Sequence, residues 1–288
     1  MPTPRIRAWE ESGTYETVLG ERLYVHRTDG EGPLLVLLHG FPSCSYDWRA
    51  LLELGLPRAT LAFDFLGFGL SAKPANHRYS LRDQADLVCE LVRASGEGEV
   101  FVLAHDMGTS VATELLARDL EGGLGFALEG VLLLNGSMVQ DAASPTLGQR
   151  LLRGPLGPLA SRVSSERFFR AQLGSVFSAA HPLSAEEAAD QYALYTHAGG
   201  NRIAHRTIRY MDERKREAPR WHGALRDWPG RLSFAWALCD PVATPAVLEA
   251  LLALRPAAPV LRWPELGHYP QIEDPAAVRA ALEENLSA

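Results

Sequence analysis

Apolar residues run without interruption through Pro33 to Leu38, Val100 to Leu103 and Val131 to Leu134, the pattern of strands buried on both faces of a parallel sheet. Leu61 to Phe63 reads as a shorter strand of the same kind. Upstream, Thr14 to Val25 alternates apolar and polar residues around Gly20, which predicts an antiparallel hairpin at a solvent edge. Between the strands the period lengthens. Leu81, Ala85, Val88, Leu91 and Val92 share one face of a helix predicted from Leu81 to Ala94 and capped by Ser80. A second helix follows from Val111.

That alternation stops at Ser137. To about Trp221 there is no strongly apolar strand, and helices are predicted over Thr146 to Leu152, Pro158 to Leu173, Ser184 to Thr196 and Arg202 to Arg216, separated by glycines and prolines. Strands resume at Arg231 to Leu238 and Pro259 to Trp263, and a helix from Pro275 to Leu286 closes the chain, with Asp274 as its cap. The pattern predicts an α/β protein with a mostly parallel twisted sheet, helices on both faces and an inserted helical cap. The core takes residues 1–136 and 222–288, and the cap 137–221.

Chemistry collects where the strands end. After Val100 to Leu103 comes Ala104-His105-Asp106-Met107-Gly108, in which small residues two places either side of Asp106 permit a sharp strand-to-helix turn that displays the aspartate as a nucleophile. The same stretch also fits an aspartate that merely caps a helix. The first central strand ends in His39-Gly40-Phe41-Pro42, where Gly40 lets the backbone bend so that the Phe41 N–H can point above the strand end. With the N–H of Met107 it would form an oxyanion hole. Asp240 follows the strand ending at Leu238, and Gly267-His268-Tyr269-Pro270 follows the last strand. Asp106, Asp240 and His268 therefore stand in the order nucleophile, acid, base, each beyond a strand. Asp64 is read as a loop organiser, and His105 as a brace for the turn.

Composition narrows the classes. The 288 residues are 47% hydrophobic, enough for a large core, and the formal net charge of −7 leaves no basic footprint for nucleic acid. Arg214-Lys215-Arg216 reads as a solvated helix face. Cys44, Cys89 and Cys239 have no metal-ligand spacing and read as buried or half-buried free thiols of a reducing compartment. No apolar run approaches the ~20 residues of a membrane span and Met1 to Glu10 lacks a signal core, so the expectation is a cytoplasmic protein; chemistry by Asp106, Asp240 and His268 would require no metal or organic cofactor.

His-Gly-Phe-Pro, Ala-His-Asp-Met-Gly, the Asp240 loop and Gly-His-Tyr-Pro together resemble the α/β-hydrolase superfamily, in its aspartate-nucleophile branch of epoxide hydrolases and haloalkane dehalogenases. The likeness covers nearly the whole chain from residue 14. Gly154 to Pro158, Asn201 to Arg214 and Tyr269-Pro270-Gln271 resemble the mesoderm-specific-transcript-like hydrolases within it. The resemblance implies a small apolar organic substrate, water as co-substrate, and an alkyl ester on Asp106. Dehalogenases of this branch hold the departing halide with Trp after the nucleophile and Asn or a second Trp elsewhere; Met107 and Phe41 stand at those positions, and neither side chain donates a hydrogen bond. Epoxide hydrolases use two cap tyrosines. Tyr210 lies about where one belongs, while Phe168, Phe169 and Phe177 occupy the early cap, leaving Tyr192, Tyr195 and His205 as further candidates. Epoxide hydrolysis is thus the leading expectation, with haloalkane or haloacid dehalogenation, ester or lactone hydrolysis, and plain ligand binding as alternatives. The sequence gives no oligomeric state.

Overall fold

The computed structural model describes residues 3–163 and 165–287. Eight strands form one sheet: β1 (Thr14–Val18), β2 (Glu21–Thr28), β3 (Leu34–Leu38), β4 (Thr60–Phe63), β5 (Glu99–His105), β6 (Ala127–Leu134), β7 (Arg231–Ala237) and β8 (Val260–Trp263). Their spatial order is β1-β2-β4-β3-β5-β6-β7-β8. β1, β2 and β4 pair antiparallel, and every pair from β4 onward is parallel. The predicted edge hairpin turns at Leu19 and Gly20, both with positive φ, the geometry of a tight hairpin turn.

All five residues of β3 are buried because both faces of the sheet are covered. Leu34, Val36 and Leu38 pack with α3 (Leu81–Ser95), α4 (Met107–Leu120), α11 (Ala218–Asp227) and α12 (Pro245–Leu254). Leu35 and Leu37 pack with α2 (Arg49–Glu53) and α14 (Pro275–Ser287) on the other face. The period-two alternation of side chains splits each apolar run between two cores. Ser80 and Asp274 accept amide hydrogen bonds at the starts of α3 and α14, as predicted.

Between β6 and β7 lie α5 (Leu147–Arg153), α6 (Gly157–Val163), α7 (Glu166–Gly174), α8 (Ala185–Thr196), α9 (Gly200–Thr207) and α10 (Tyr210–Arg216), ahead of α11. Two predicted helices are each broken in two: Pro158 to Leu173 divides between α6 and α7, and Arg202 to Arg216 divides around Ile208-Arg209. Residue 222, where the core was expected to resume, falls inside α11. That helix lies against α4, and the Trp221 indole N–H donates to Glu114 at 2.8 Å. A separate apolar cluster gathers Phe169, Leu173, Val176, Tyr195 and Ala204 with Val242 and Tyr269 from the loops after β7 and β8.

Two readings of the sequence need correction. Cys44 is buried and Cys89 half-buried, but Cys239 is exposed, because it sits in the turn that follows β7. Arg214 is not solvated; it is 1% exposed and reaches the Asp106 turn. Ahead of β1 lies α1 (Pro4–Ser12), capped by Thr3, and its Arg5 donates to Asp190 of α8. Among the described residues no helix is long and apolar enough to cross a membrane.

Candidate active site

The topology makes the site possible. β4 and β5 lie on opposite sides of β3, so the loops after β3 and β5 diverge and leave a crevice at the carboxyl edge of the sheet, the usual place for a ligand in such sheets. Phe41 follows β3 and Asp106 follows β5.

The turn at Asp106 is strained: φ is 44° and ψ is −109°, a region that costs a non-glycine residue about 1–3 kcal/mol. Its surroundings hold it there. Gly108 lies so close to β3 that a Cβ would sit 2.4 Å from the Leu38 carbonyl oxygen. Gly40 lets the opposing loop approach, since a Cβ there would sit 2.8 Å from the Asp106 Cβ. The Asp106 carboxylate does not cap the helix it precedes. Its Oδ2 instead accepts the Phe41 backbone N–H at 2.9 Å.

Asp106 is 1% exposed, and burial alone would raise its pKa. Nearby positive charge and donors outweigh burial and hold it below the ordinary carboxylate value, Arg214 first among them. The Arg214 guanidinium donates to the Asp106 carbonyl at 2.9 Å and to Ser110 Oγ at 2.7 Å, and lies 3.7 Å from Asp106 Oδ1. Its other face covers the Tyr210 ring at 4.6 Å.

Asp240 and His268 meet on the far side. His268 Nδ1 and Asp240 Oδ2 are 2.7 Å apart. The second carboxylate oxygen accepts the Val242 and Ala243 amides at 2.7 and 3.0 Å, so the acid is fixed by its own loop. Burial opposes charge on His268, but Asp240, aided by Asp106, raises its pKa to about 9. The His268 loop is tied down by its own N–H, which donates to the Val176 carbonyl at 2.8 Å, and by the His105 ring, which donates to the His268 carbonyl at 2.6 Å. The other His105 nitrogen accepts from Gln271 at 3.1 Å, and burial lowers the pKa of this ring to about 4. His105 is thus a neutral brace. Asp64, fully buried, accepts from the amides of Ser45 and Leu70 and organises its loop.

Two residues here gave no functional signal in the sequence. Asn135, the residue after β6, has φ 41°, accepts the Ala237 N–H at 2.9 Å and donates to Asp240 Oδ2 at 2.8 Å. A buried Asn at the end of an apolar run was the available sign, since Asn tolerates positive φ and needs polar partners. Arg214 looked like one of three basic surface residues, and nothing local distinguishes the one that turns inward.

A cavity of about 390 Å³ opens over His268, Phe41 and Tyr269. Its wall is largely apolar, built from Leu151, Leu152, Phe168, Phe169, Leu173 and Val176. The four cap candidates separate. Tyr195 lines the cavity and stacks on Phe169 at 4.7 Å. Tyr192 stands behind it, 5.5 Å from the same ring. Tyr210 is 2% exposed and packed between Phe41 and Arg214. His205 is paired with Ser161 at 3.1 Å, away from the cavity wall. Among the described residues, no cluster of three or more His, Cys, Asp or Glu side chains could hold a metal ion.

Comparison with known proteins bears on the family and the fold. The chain is 50% identical over 281 residues to "Putative hydrolase LipZ" of Mycobacterium tuberculosis, covering 98% of each. It is 34% identical to the human mesoderm-specific transcript homolog protein, over 95% of this chain and 85% of that one. Among solved structures, the haloalkane dehalogenase DbeA from Bradyrhizobium elkani superposes with a TM-score of 0.80 at 22% identity, covering 96% of this chain and 98% of that one, a likeness of fold. The model of the alpha/beta hydrolase family matches residues 35–281. With its mostly parallel eight-stranded sheet and its match across most of its length, this chain belongs to the alpha/beta hydrolase family.

Proposed function

We propose that this hydrolase opens epoxides of apolar substrates to diols through an ester on Asp106, with His268 as base, Asp240 as its partner and Phe41 and Met107 as oxyanion donors. The observation that carries the reading is the 2.9 Å bond from the Phe41 N–H to Asp106 Oδ2. It holds one carboxylate oxygen where negative charge will later develop and leaves Oδ1 as the attacking atom.

A carboxylate attacks amides poorly but can open an epoxide at carbon. Attack by Oδ1 breaks the strained C–O bond, the alkoxide takes a proton, and an ester remains. Tyr195 is the best placed cap residue to give that proton, because its ring lines the cavity. Ester formation also removes the Asp106 charge that helps hold a proton on His268. The imidazole then falls toward neutrality, its proton passing to the Tyr195 phenolate, and can deprotonate a water that attacks the ester carbonyl. The oxyanion forms on Oδ2 beside the Phe41 N–H, with the Met107 N–H, first in its helix, as the second donor. Such a donor contributes about 3 kcal/mol. Collapse expels an alkoxide that takes the proton from His268 and leaves as the diol, and the Asp106 acid then returns its own proton to His268 and is again a carboxylate. The helices between β6 and β7 act as the cap that closes the apolar chamber over these atoms.

Dehalogenation is the second reading. It shares the ester and differs in the leaving group. Met107 and Phe41 offer no side-chain donor to a halide, which favours the epoxide. The test is to incubate His268→Ala with terminal epoxides, haloalkanes and haloacids and seek an adduct on the Asp106 peptide by mass spectrometry. An epoxide adduct in the variant and a diol from wild type are expected; released halide would select the second reading. If wild type turns over a substrate while His268→Ala traps nothing and Asp106→Ala stays active, the nucleophile is elsewhere.

A further inference from the structure

The large apolar side chains that remain exposed are not spread evenly. Of nine such side chains among the described residues, Leu19, Leu54, Leu120 and Leu261 lie singly, whereas Leu147, Leu151, Leu156, Leu159 and Phe168, 59, 43, 67, 59 and 36% exposed, fall within α5, α6, α7 and the turns between them. Exposed apolar residues scattered singly are ordinary, but a cluster of this size is not. It also has a position: Leu151 and Phe168 line the mouth of the same cavity that reaches His268. The patch is therefore the outer rim of the route to the site.

Charge on the same segment runs against the rest of the molecule. Residues 147–170 carry five arginines and one glutamate, in a chain of formal net charge −7. Arg153 and Arg170 are paired, with Asp212 and Glu166. Among the described residues, Arg150, Arg162 and Arg167 have no carboxylate within 4.0 Å, and all three are exposed. Spacing sets two of them beside leucines: Arg150 is three residues from Leu147, and Arg162 is three from Leu159. Residues three or four apart share a helix face. α5 and α6 thus each present leucine next to a guanidinium that meets no carboxylate, and α7 exposes Arg167 and Phe168 on its first turn, the arrangement of a surface that sits in a lipid headgroup layer.

We propose that the α5–α7 surface docks on an anionic lipid bilayer, the leucines and Phe168 entering the acyl boundary and Arg150, Arg162 and Arg167 meeting lipid phosphates. The cavity mouth then faces the membrane, and an apolar substrate passes from lipid to His268 without crossing water. The direction of this route rests on the apolar-substrate reading above; the docking itself does not. A polybasic patch gains affinity for each basic residue near an anionic surface, and loses it with salt. That selects an anionic bilayer over a neutral one, and over a two-fold pairing of this face, which would set the three guanidiniums of one copy against those of the other.

The experiment is co-sedimentation of the full chain with vesicles of phosphatidylcholine plus phosphatidylglycerol, and of phosphatidylcholine alone. Binding to the mixed vesicles at least about tenfold tighter than to the neutral ones, and falling with salt, is expected. Leu156→Asp with Leu159→Asp should weaken binding to both vesicles at least tenfold; Arg150→Gln with Arg162→Gln and Arg167→Gln should remove the preference for phosphatidylglycerol. Circular dichroism melts confirm that both variants fold, as these side chains are exposed. Absence of binding, or equal binding by wild type and variants, overturns the proposal. So does light scattering that shows a dimer broken by Leu156→Asp with no vesicle binding. No substrate is present, so a failure here leaves the Asp106 chemistry standing, and a failure of that chemistry leaves the docking standing.

Discussion

Replacing Arg214 with Met keeps an unbranched apolar stem, loses the guanidinium and so removes a charge from beside the proposed nucleophile. A full pair of charges at 3.7 Å is worth roughly 4 kcal/mol at an effective dielectric of about 20. Two hydrogen bonds, to Ser110 and to the Asp106 carbonyl, go with it. Asp106 keeps the Phe41 N–H and the field of His268, so only part of that energy appears as a change in its protonation. We expect the Asp106 titration to move up by at least about one pH unit, equivalent to about 1.4 kcal/mol. The sign for stability follows. A carboxylate depressed in the folded state stabilises above its unfolded pKa and loses that contribution as pH falls, so Arg214→Met removes stability at neutral pH. Breaking one partner of a buried pair costs about 3–5 kcal/mol. Carbon-13 NMR of protein labelled at the aspartate carboxyl carbons, with Asp106→Asn identifying the signal, measures the titration, and urea unfolding measures the stability. Arg214→Lys retains the charge and serves if the Met variant does not fold. An unmoved Asp106 titration in a folded Arg214→Met protein would refute the electrostatic role.

His268 makes the opposite prediction. Its pKa is raised from 6.5 to about 9, so its contribution is complete below about pH 6.5 and declines as pH climbs toward 9, by roughly 3 kcal/mol in all. Urea midpoints of wild type should fall over that interval, and those of His268→Gln should not; parallel curves would sink the linkage. Gly108→Ala forces a Cβ against two backbone oxygens, 2.4 Å from that of Leu38 and 2.7 Å from that of His39, and should cost about 1–3 kcal/mol, read as a lower Tm. An unchanged Tm would mean that the turn relaxes freely. Leu173→Trp intrudes on a cavity of about 390 Å³ and should depress kcat/KM for long substrates more than for short ones; an equal loss for both would place binding elsewhere.

The strands, the helices between them and the order Asp106, Asp240, His268 were legible in the chain, because each depends on local chemistry. A run such as Leu34 to Leu38 has no polar position to expose, so it must be covered on both faces. A sharp turn needs small residues near it, so Ala104 and Gly108 mark Asp106. Distances were not legible. Which donor meets which Asp106 oxygen depends on β3 and β5 lying side by side, strands more than sixty residues apart in the chain. The breaks within the predicted helices Pro158 to Leu173 and Arg202 to Arg216 were hidden for the same reason, as packing against neighbours decides where a helical run bends. Arg214 is the sharpest case. Its sequence neighbours Lys215 and Arg216 are solvated, and only the packing of α10 against the Asp106 turn sends one guanidinium inward to a buried carboxylate. The sequence by itself determined the kinds of groups and the strand ends that carry them. The tertiary structure decided their partners, because hydrogen bonds and burial are set across elements that no local spacing connects.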